Sequence, residues 1–234
     1  MTHCWMCNLG LMPYKEAQEL QHRLITLRYK NIIDDILLLL EHPPTITLGR
    51  FANPKNILVS QDELKRRGIT VYPSDRAGET TFHCPGQLVV YPIMDISHRV
   101  GRLREFIHCL EEVALKTLIH FGISAGRLPE HPGIWKHGKQ IAAIGLLVSR
   151  GVTMHGLSLN VNPNLNDFKV INLCGLPGKE ATSITTLIDH NVDIGDVITC
   201  TQDTFSDVFD VDLETISTEQ VMGDSYAAES ASMV

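Results

Sequence analysis

Cys174 is the residue whose setting most favours covalent chemistry. It lies in Ile171-Asn172-Leu173-Cys174-Gly175-Leu176-Pro177-Gly178, a turn rich in glycine and proline, whereas Cys109 falls on an amphipathic helix face. A loop thiol is accessible, and its thiolate is a strong nucleophile once a positive neighbour lowers its pKa. Standing alone, the segment reads more readily as a buried turn cysteine. A second stretch runs Arg76-Ala77-Gly78-Glu79-Thr80-Thr81-Phe82-His83-Cys84-Pro85-Gly86-Gln87 between two strand-like segments. Its glycines let backbone amides approach a ligand closely; it also reads as a hairpin loop with a satisfied histidine. In a third stretch, Thr153 to Asn160, a strand carries His155 next to Gly156 and can present imidazole beside bare backbone. A strand histidine is also commonly structural. Cys4 and Cys7 form one CxxC. Zinc would need a second ligand pair at similar spacing, and none follows, so these are two strand thiols.

Elements that could position these residues are legible in the apolar pattern. Ala17, Leu20, Leu24 and Leu27 recur at spacings of three and four, which predicts a helix over 13–29 with Pro13 at its start. Segments 35–40, 46–49, 69–72 and 87–93 read as strands. Ser60-Gln61-Asp62-Glu63 is a capping box, and Gly68 closes the short helix it opens. A second long helix is expected over about 102–121, with Leu103, Phe106, Leu110, Ala114, Thr117 and Phe121 inward. Residues 133–136 and 141–148 flank His137-Gly138 as a hairpin, and 153–161 add a strand. Ile194, Val197, Ile198, Thr201, Phe205 and Val208 mark a third helix over 193–209. Hairpins mixed with a few helices suggest an α+β domain. A single domain over 1–221 is expected, followed by a small, polar, disordered tail at 222–234.

The 234 residues are 44% hydrophobic and 20% charged, a globular balance. A chain this long buries roughly 70% of its unfolded surface and needs no disulfide or metal staple. The net charge of −7 argues against a general nucleic-acid binder. No apolar run reaches the roughly 18 residues of a membrane span. The N-terminus lacks the basic and apolar regions of a signal peptide, so a cytoplasmic protein with six free thiols is expected.

Six blocks occur in a fixed order. They are Asn8-Leu9-Gly10 with Tyr14, Ala17, Gln18 and Gln21; Leu38-Leu39-Leu40-Glu41-His42-Pro43-Pro44-Thr45-Ile46-Thr47-Leu48-Gly49-Arg50; Arg76 to Tyr91; Ile141-Ala142-Ala143-Ile144-Gly145; Thr153 to Val161; and Cys174-Gly175-Leu176. Over about residues 8–190 they resemble the lipoyl (octanoyl) transferases of the biotin/lipoate protein ligase superfamily. The resemblance implies an α+β catalytic domain with a mixed, largely antiparallel sheet and helices on one side. It implies an acyltransferase that moves octanoyl from acyl carrier protein to a lysine of a lipoyl domain, in a 2-oxoacid dehydrogenase or a glycine-cleavage H protein. Cys174 falls on the nucleophile position, which forms a thioester. Arg76, Ala77, Gly78, Glu79, Thr80, Thr81, Phe82 and His83 fall on acyl-substrate contact positions, as do Ala143, Ile144, Gly145, Gly156, Leu157 and Ser158. A thioester substrate carries its own activation, so no cofactor, ATP or metal is expected, and a monomer suffices.

Three positions depart from the family pattern. Ala77 replaces the middle glycine of Arg-Gly-Gly, and Cys84 replaces the glycine after the histidine. The family places a lysine directly before Ile141, where this chain has Gln140, preceded by Lys139. Neighbours on a strand face opposite ways, so Lys139 serves as the catalytic lysine only if a bulge or the nearby turn re-aims it; otherwise His83 or His155 takes the role, or none does. An ATP-dependent lipoate or biotin ligase, or a catalytically weak binder of acyl carriers, are the alternatives. His98-Arg99 with Arg102 and Arg104, and Lys65-Arg66-Arg67, are candidate basic patches for an acidic carrier.

Overall fold

The computed structural model describes residues 2–96, 103–128 and 131–223. Its elements are β1 (Thr2–Leu11), α1 (Tyr14–Tyr29), β2 (Asp35–Glu41), β3 (Thr45–Leu48), α2 (Gln61–Arg66), β4 (Thr70–Pro73), β5 (Thr80–His83) and β6 (Gln87–Ile93). These are followed by α3 (Leu103–His120), β7 (Gly126–Leu128), β8 (His131–Lys136), β9 (Lys139–Ser149), β10 (Val152–Asn160), α4 (Ile184–Ile188), α5 (Ile194–Phe209) and β11 (Val211–Thr215). Among the described residues the strands form an eight-stranded sheet, β11-β1-β2-β6-β10-β9-β8-β7, and a three-stranded sheet, β4-β3-β5. β1 runs parallel to both β2 and β11, and β3 parallel to β4; the other pairings are antiparallel.

β2 explains the layering. Its run Ile36-Leu37-Leu38-Leu39-Leu40 is buried on both faces. Ile36, Leu38 and Leu40 pack with Ala17, Leu20 and Leu24 of α1, whereas Leu37 and Leu39 pack with Phe106 and Leu110 of α3 and Phe205 of α5. Burying each leucine is worth about 2 kcal/mol, several times any helix-propensity difference, so packing holds α1 in place. Two long helices therefore share one face, but α1 covers the other. The implied placement of helices on one side is corrected, because a strand apolar on both sides must be covered twice. Cys4 and Cys7 lie on β1 and contribute to the two opposite cores.

The expected helices and strands appear within a residue or two. Ser60 caps α2 by accepting from Glu63 N at 3.2 Å. Leu103 is exposed rather than inward, while Phe106, Leu110, Ala114 and Thr117 are buried. His137 (φ 51°) and Gly138 (φ 76°) make the left-handed β8–β9 turn that their sequence implies. The helical turn 218–223 buries Val221 against the α1 core. Most of the expected tail, 224–234, and the patch residues His98, Arg99 and Arg102 lie outside the described residues. Arg66 and Arg67 of the other patch both pair with Glu63.

The small sheet has its own core, built from Ile46, Leu64, Phe82, Cys84, Phe168 and Leu173 among others. It carries much of the 76–87 stretch, a third of which is strand β5. The same core anchors the turn that bears Cys174 through Leu173.

Candidate active site

Cys174 sits at the tip of a short 3-10 turn, Leu173–Gly175, with φ 53° and ψ 26°. A side-chain-bearing residue in this left-handed region costs on the order of 1 kcal/mol or more. Two turn hydrogen bonds hold it there, Gly175 N to Asn172 O at 3.1 Å and Leu176 N to Leu173 O at 2.9 Å. Asn172 is tied in turn to Asn56, N to O at 2.8 Å and Nδ2 to Oδ1 at 3.1 Å.

The thiol meets Gln140 of β9. Gln140 Nε2 lies 3.4 Å from Sγ, and Sγ lies 3.6 Å from Oε1. Gln140 is buried. Lys139, its neighbour, is half exposed and pairs with Glu180, Nζ to Oε2 at 2.6 Å. The expectation that Lys139 is re-aimed to the nucleophile is therefore not met. The ladder shifts register between Ile134 and Trp135 of β8, but Trp135 opposes Gln140 and Lys136 opposes Lys139, so normal alternation persists where it matters. Burial pushes the Cys174 thiol above its ordinary value; Gln140 and the nearby Arg76 charge pull it down, and Glu79 pushes it up.

Arg76 is a buried cation satisfied by neutral oxygens. Its Nη2 donates to Glu79 O at 2.6 Å and to Thr47 O and Oγ1 at 2.9 Å; its Nη1 donates to Ala77 O at 3.1 Å. Burial lowers its pKa. This loop presses on β9 so closely that a Cβ on Gly145 would lie 3.0 Å from Ala77 O and 3.1 Å from Arg76 Cδ. Ala77 has no positive φ, so the departure from Arg-Gly-Gly is tolerated by the backbone.

A cavity of about 240 Å³ opens on Cys174. Arg76, Ala77, Gly78, Glu79 and Thr81 form one wall, and Ala143, Ile144, Gly145 and Leu146 another. Leu103 and Ile107 of α3 add apolar surface that the sequence did not nominate. Thr80 and Phe82 point the other way along β5 and flank a crevice of about 10 Å³ behind the thiol, with Gln140 and Ser158. His83, Gly156, Leu157 and Ser158 line a pocket of about 20 Å³ behind Arg76, together with Tyr91 and His155. Gly156 is required there, since a Cβ would lie 2.2 Å from Val90 O.

Neither site histidine reaches the thiol's cavities. His83 Nδ1 lies 2.7 Å from Gln87 Oε1, and His155 Nε2 lies 2.7 Å from Asp75 Oδ1. Burial holds both below the ordinary imidazole range, for His155 against the pull of Asp75. They belong to a buried ring cluster in which Tyr14 stacks on both, at 6.1 and 6.4 Å. His42 joins it, bonding Met12 O at 2.7 Å and Tyr91 Oη at 2.9 Å, and burial lowers its pKa to about 4. Tyr14, His42 and Tyr91 all fall in the motif blocks, yet nothing in their spacing announces that they converge. Cys84 is buried among Phe82, Phe168 and Leu173, and burial pushes its thiol up to about 12. It does not line the Cys174 cavity.

A thiol on a strained turn, a buried cation and a β-sheet wall opened by glycines thus converge on one cavity. The model of the lipoyl protein ligase A/B catalytic domain matches residues 13–206, and the chain belongs to that family. The octanoyltransferase of Desulforamulus reducens is 39% identical over 218 residues, covering 93% of this chain and 96% of that protein. The octanoyltransferase of Caldicellulosiruptor saccharolyticus is 40% identical over 218 residues, covering 92% and 93%. These similarities support octanoyl transfer for protein lipoylation as the activity of this chain. The fold is that of the bi-partite lipoate protein ligase of Thermoplasma acidophilum, with a TM-score of 0.75 at 15% identity over 97% of this chain and 92% of that one. No helix among the described residues is long and apolar enough to cross a membrane.

Proposed function

We propose that this enzyme takes an octanoyl group from acyl carrier protein as a Cys174 thioester and passes it to a lysine of a lipoyl domain. The supporting observation is the opening of the Cys174 thiol onto a cavity bounded by Arg76 and by apolar residues of β9 and α3. Cys174 Sγ attacks the donor carbonyl, and the carrier leaves as its thiol. Gln140 holds the thiol by accepting from S–H, and the buried Arg76 charge favours the thiolate over the uncompensated buried anion. The eight-carbon tail lies along the apolar wall. Burying each CH₂ gains about 0.8 kcal/mol, which grades chain lengths without separating neighbours sharply. The acceptor amine then displaces Cys174.

Intact-mass measurement after mixing with octanoyl-acyl carrier protein tests this. A single octanoyl adduct, labile to hydroxylamine and absent from Cys174→Ser, is expected. An adduct on Cys174→Ser, or transfer at the wild-type rate, refutes it. Lipoyl-domain modification that depends on ATP would instead favour a ligase.

A further inference from the structure

Gln140 leaves the site without a proton acceptor at the position where the family carries lysine, since an amide takes no proton near neutral pH. Among the described residues lining the two cavities that reach Cys174, the other charged groups are Arg76 and Glu79. A guanidinium stays charged. Glu79 is thus the group there that can receive a proton.

We propose that Glu79 docks the ammonium of the acceptor lysine and takes its proton during discharge of the acyl-enzyme. The inference rests on the thioester reading above. Its geometry is specific. Glu79 Oε2 is clamped by Asn53 N at 3.0 Å and Asn56 Nδ2 at 3.1 Å. The carboxylate is packed against the residue that follows the nucleophile: a Cβ on Gly175 would lie 2.9 Å from Glu79 Cγ and 3.0 Å from Cδ. Glycine at 175 therefore makes room for the Glu79 side chain against the turn that bears Cys174, and both residues line the same cavity. Asn56 also anchors Asn172, so one residue fixes both the carboxylate and the turn of the nucleophile.

Electrostatics favours the same role. Arg76 makes no ion pair among the described residues, and an incoming ammonium would be repelled by it. Glu79, half-buried and carried on the same loop, supplies the offsetting charge. Its backbone oxygen already accepts from Arg76.

The step balances as follows. The ammonium gives one proton to the Glu79 carboxylate. The free amine attacks the thioester carbonyl, the C–N bond forms, and the C–S bond breaks. The second nitrogen proton neutralises the Cys174 thiolate, leaving an amide, a thiol and protonated Glu79. Glu79 then returns its proton to water.

The test is single-turnover discharge of enzyme loaded to completion on Cys174, with a lipoyl domain as acceptor, from pH 7 to 9. Removing a general base costs about 10²–10⁴-fold, so Glu79→Gln should discharge at least 10²-fold more slowly and accumulate octanoyl-enzyme. Its rate should climb about tenfold per pH unit, tracking the free amine of a lysine with a pKa near 10.4, whereas wild type climbs less steeply. Glu79→Asp, which keeps the carboxylate, should recover part of the rate and the shallower profile. Discharge of Glu79→Gln within threefold of wild type, with a parallel pH profile, overturns the assignment. So does a Glu79→Gln enzyme that cannot be loaded, which would move the residue to the first step. Wild type that never forms the Cys174 adduct refutes the thioester reading instead.

Discussion

Gln140→Lys should make this enzyme faster in its first step, and Lys139→Ala should leave that step unchanged. The Gln140 amide lies 3.4–3.6 Å from Cys174 Sγ, so an ammonium there would sit about one contact distance from the thiolate. At about 4 Å and an effective dielectric of about 20, the attraction is about 4 kcal/mol, equivalent to about three pKa units. Burying the new ammonium, with Arg76 nearby, takes back part of that, leaving a fall of about two units in the thiol pKa. The thiolate fraction then rises about 100-fold. A less basic thiolate is a weaker nucleophile, by about threefold per unit, so the net acceleration near pH 7 is about tenfold. Iodoacetamide alkylation of Cys174 against pH reads the thiol pKa, and intact mass reads the acylation rate. Lys139 is half exposed and paired with the exposed Glu180, a contact screened by solvent, so its removal should change acylation less than twofold. A tenfold loss in Lys139→Ala with a silent Gln140→Lys would refute the orientation of β9 described above.

Three further outcomes are expected. His42 is buried and neutral, with its pKa lowered to about 4; the unfolded chain binds its proton near pH 6.5, so stability is full above that value and falls as pH drops towards 4, by about 3 kcal/mol for this group. Urea unfolding at stepped pH reads this, and a flat profile, or one unchanged in His42→Gln, would count against it. Gly156→Ala forces a Cβ to within 2.2 Å of Val90 O and should cost about 3 kcal/mol in unfolding free energy; a melting temperature equal to wild type contradicts the close approach. Cys84 should resist alkylation at pH 8, where a thiol pushed up to about 12 is about 10⁻⁴ ionised, while Cys174 reacts; preferential labelling of Cys84 would place it outside the core.

The sequence determined the local elements and the inventory of the site. The three-and-four spacing of Ala17, Leu20, Leu24 and Leu27 sets a helix face, and the apolar run 36–40 sets a central strand, because both are short-range patterns that burial enforces. His137-Gly138 sets a turn, because few residue pairs accept two positive φ angles. The cavity walls at Arg76–Glu79 and Ala143–Gly145, and Cys174 itself, were legible as motif blocks. What those residues face was not. Whether Lys139 or Gln140 meets the thiol depends on the register of β9 against β8, and a shift of one residue inverts every side chain. The convergence of Tyr14, His42, Tyr91 and His155, the burial of Cys84 beneath the small sheet, and the packing of Glu79 against Gly175 join residues tens to more than a hundred positions apart. No local pattern encodes such contacts; they exist only once both sheets and the helices on both faces of the larger one have packed.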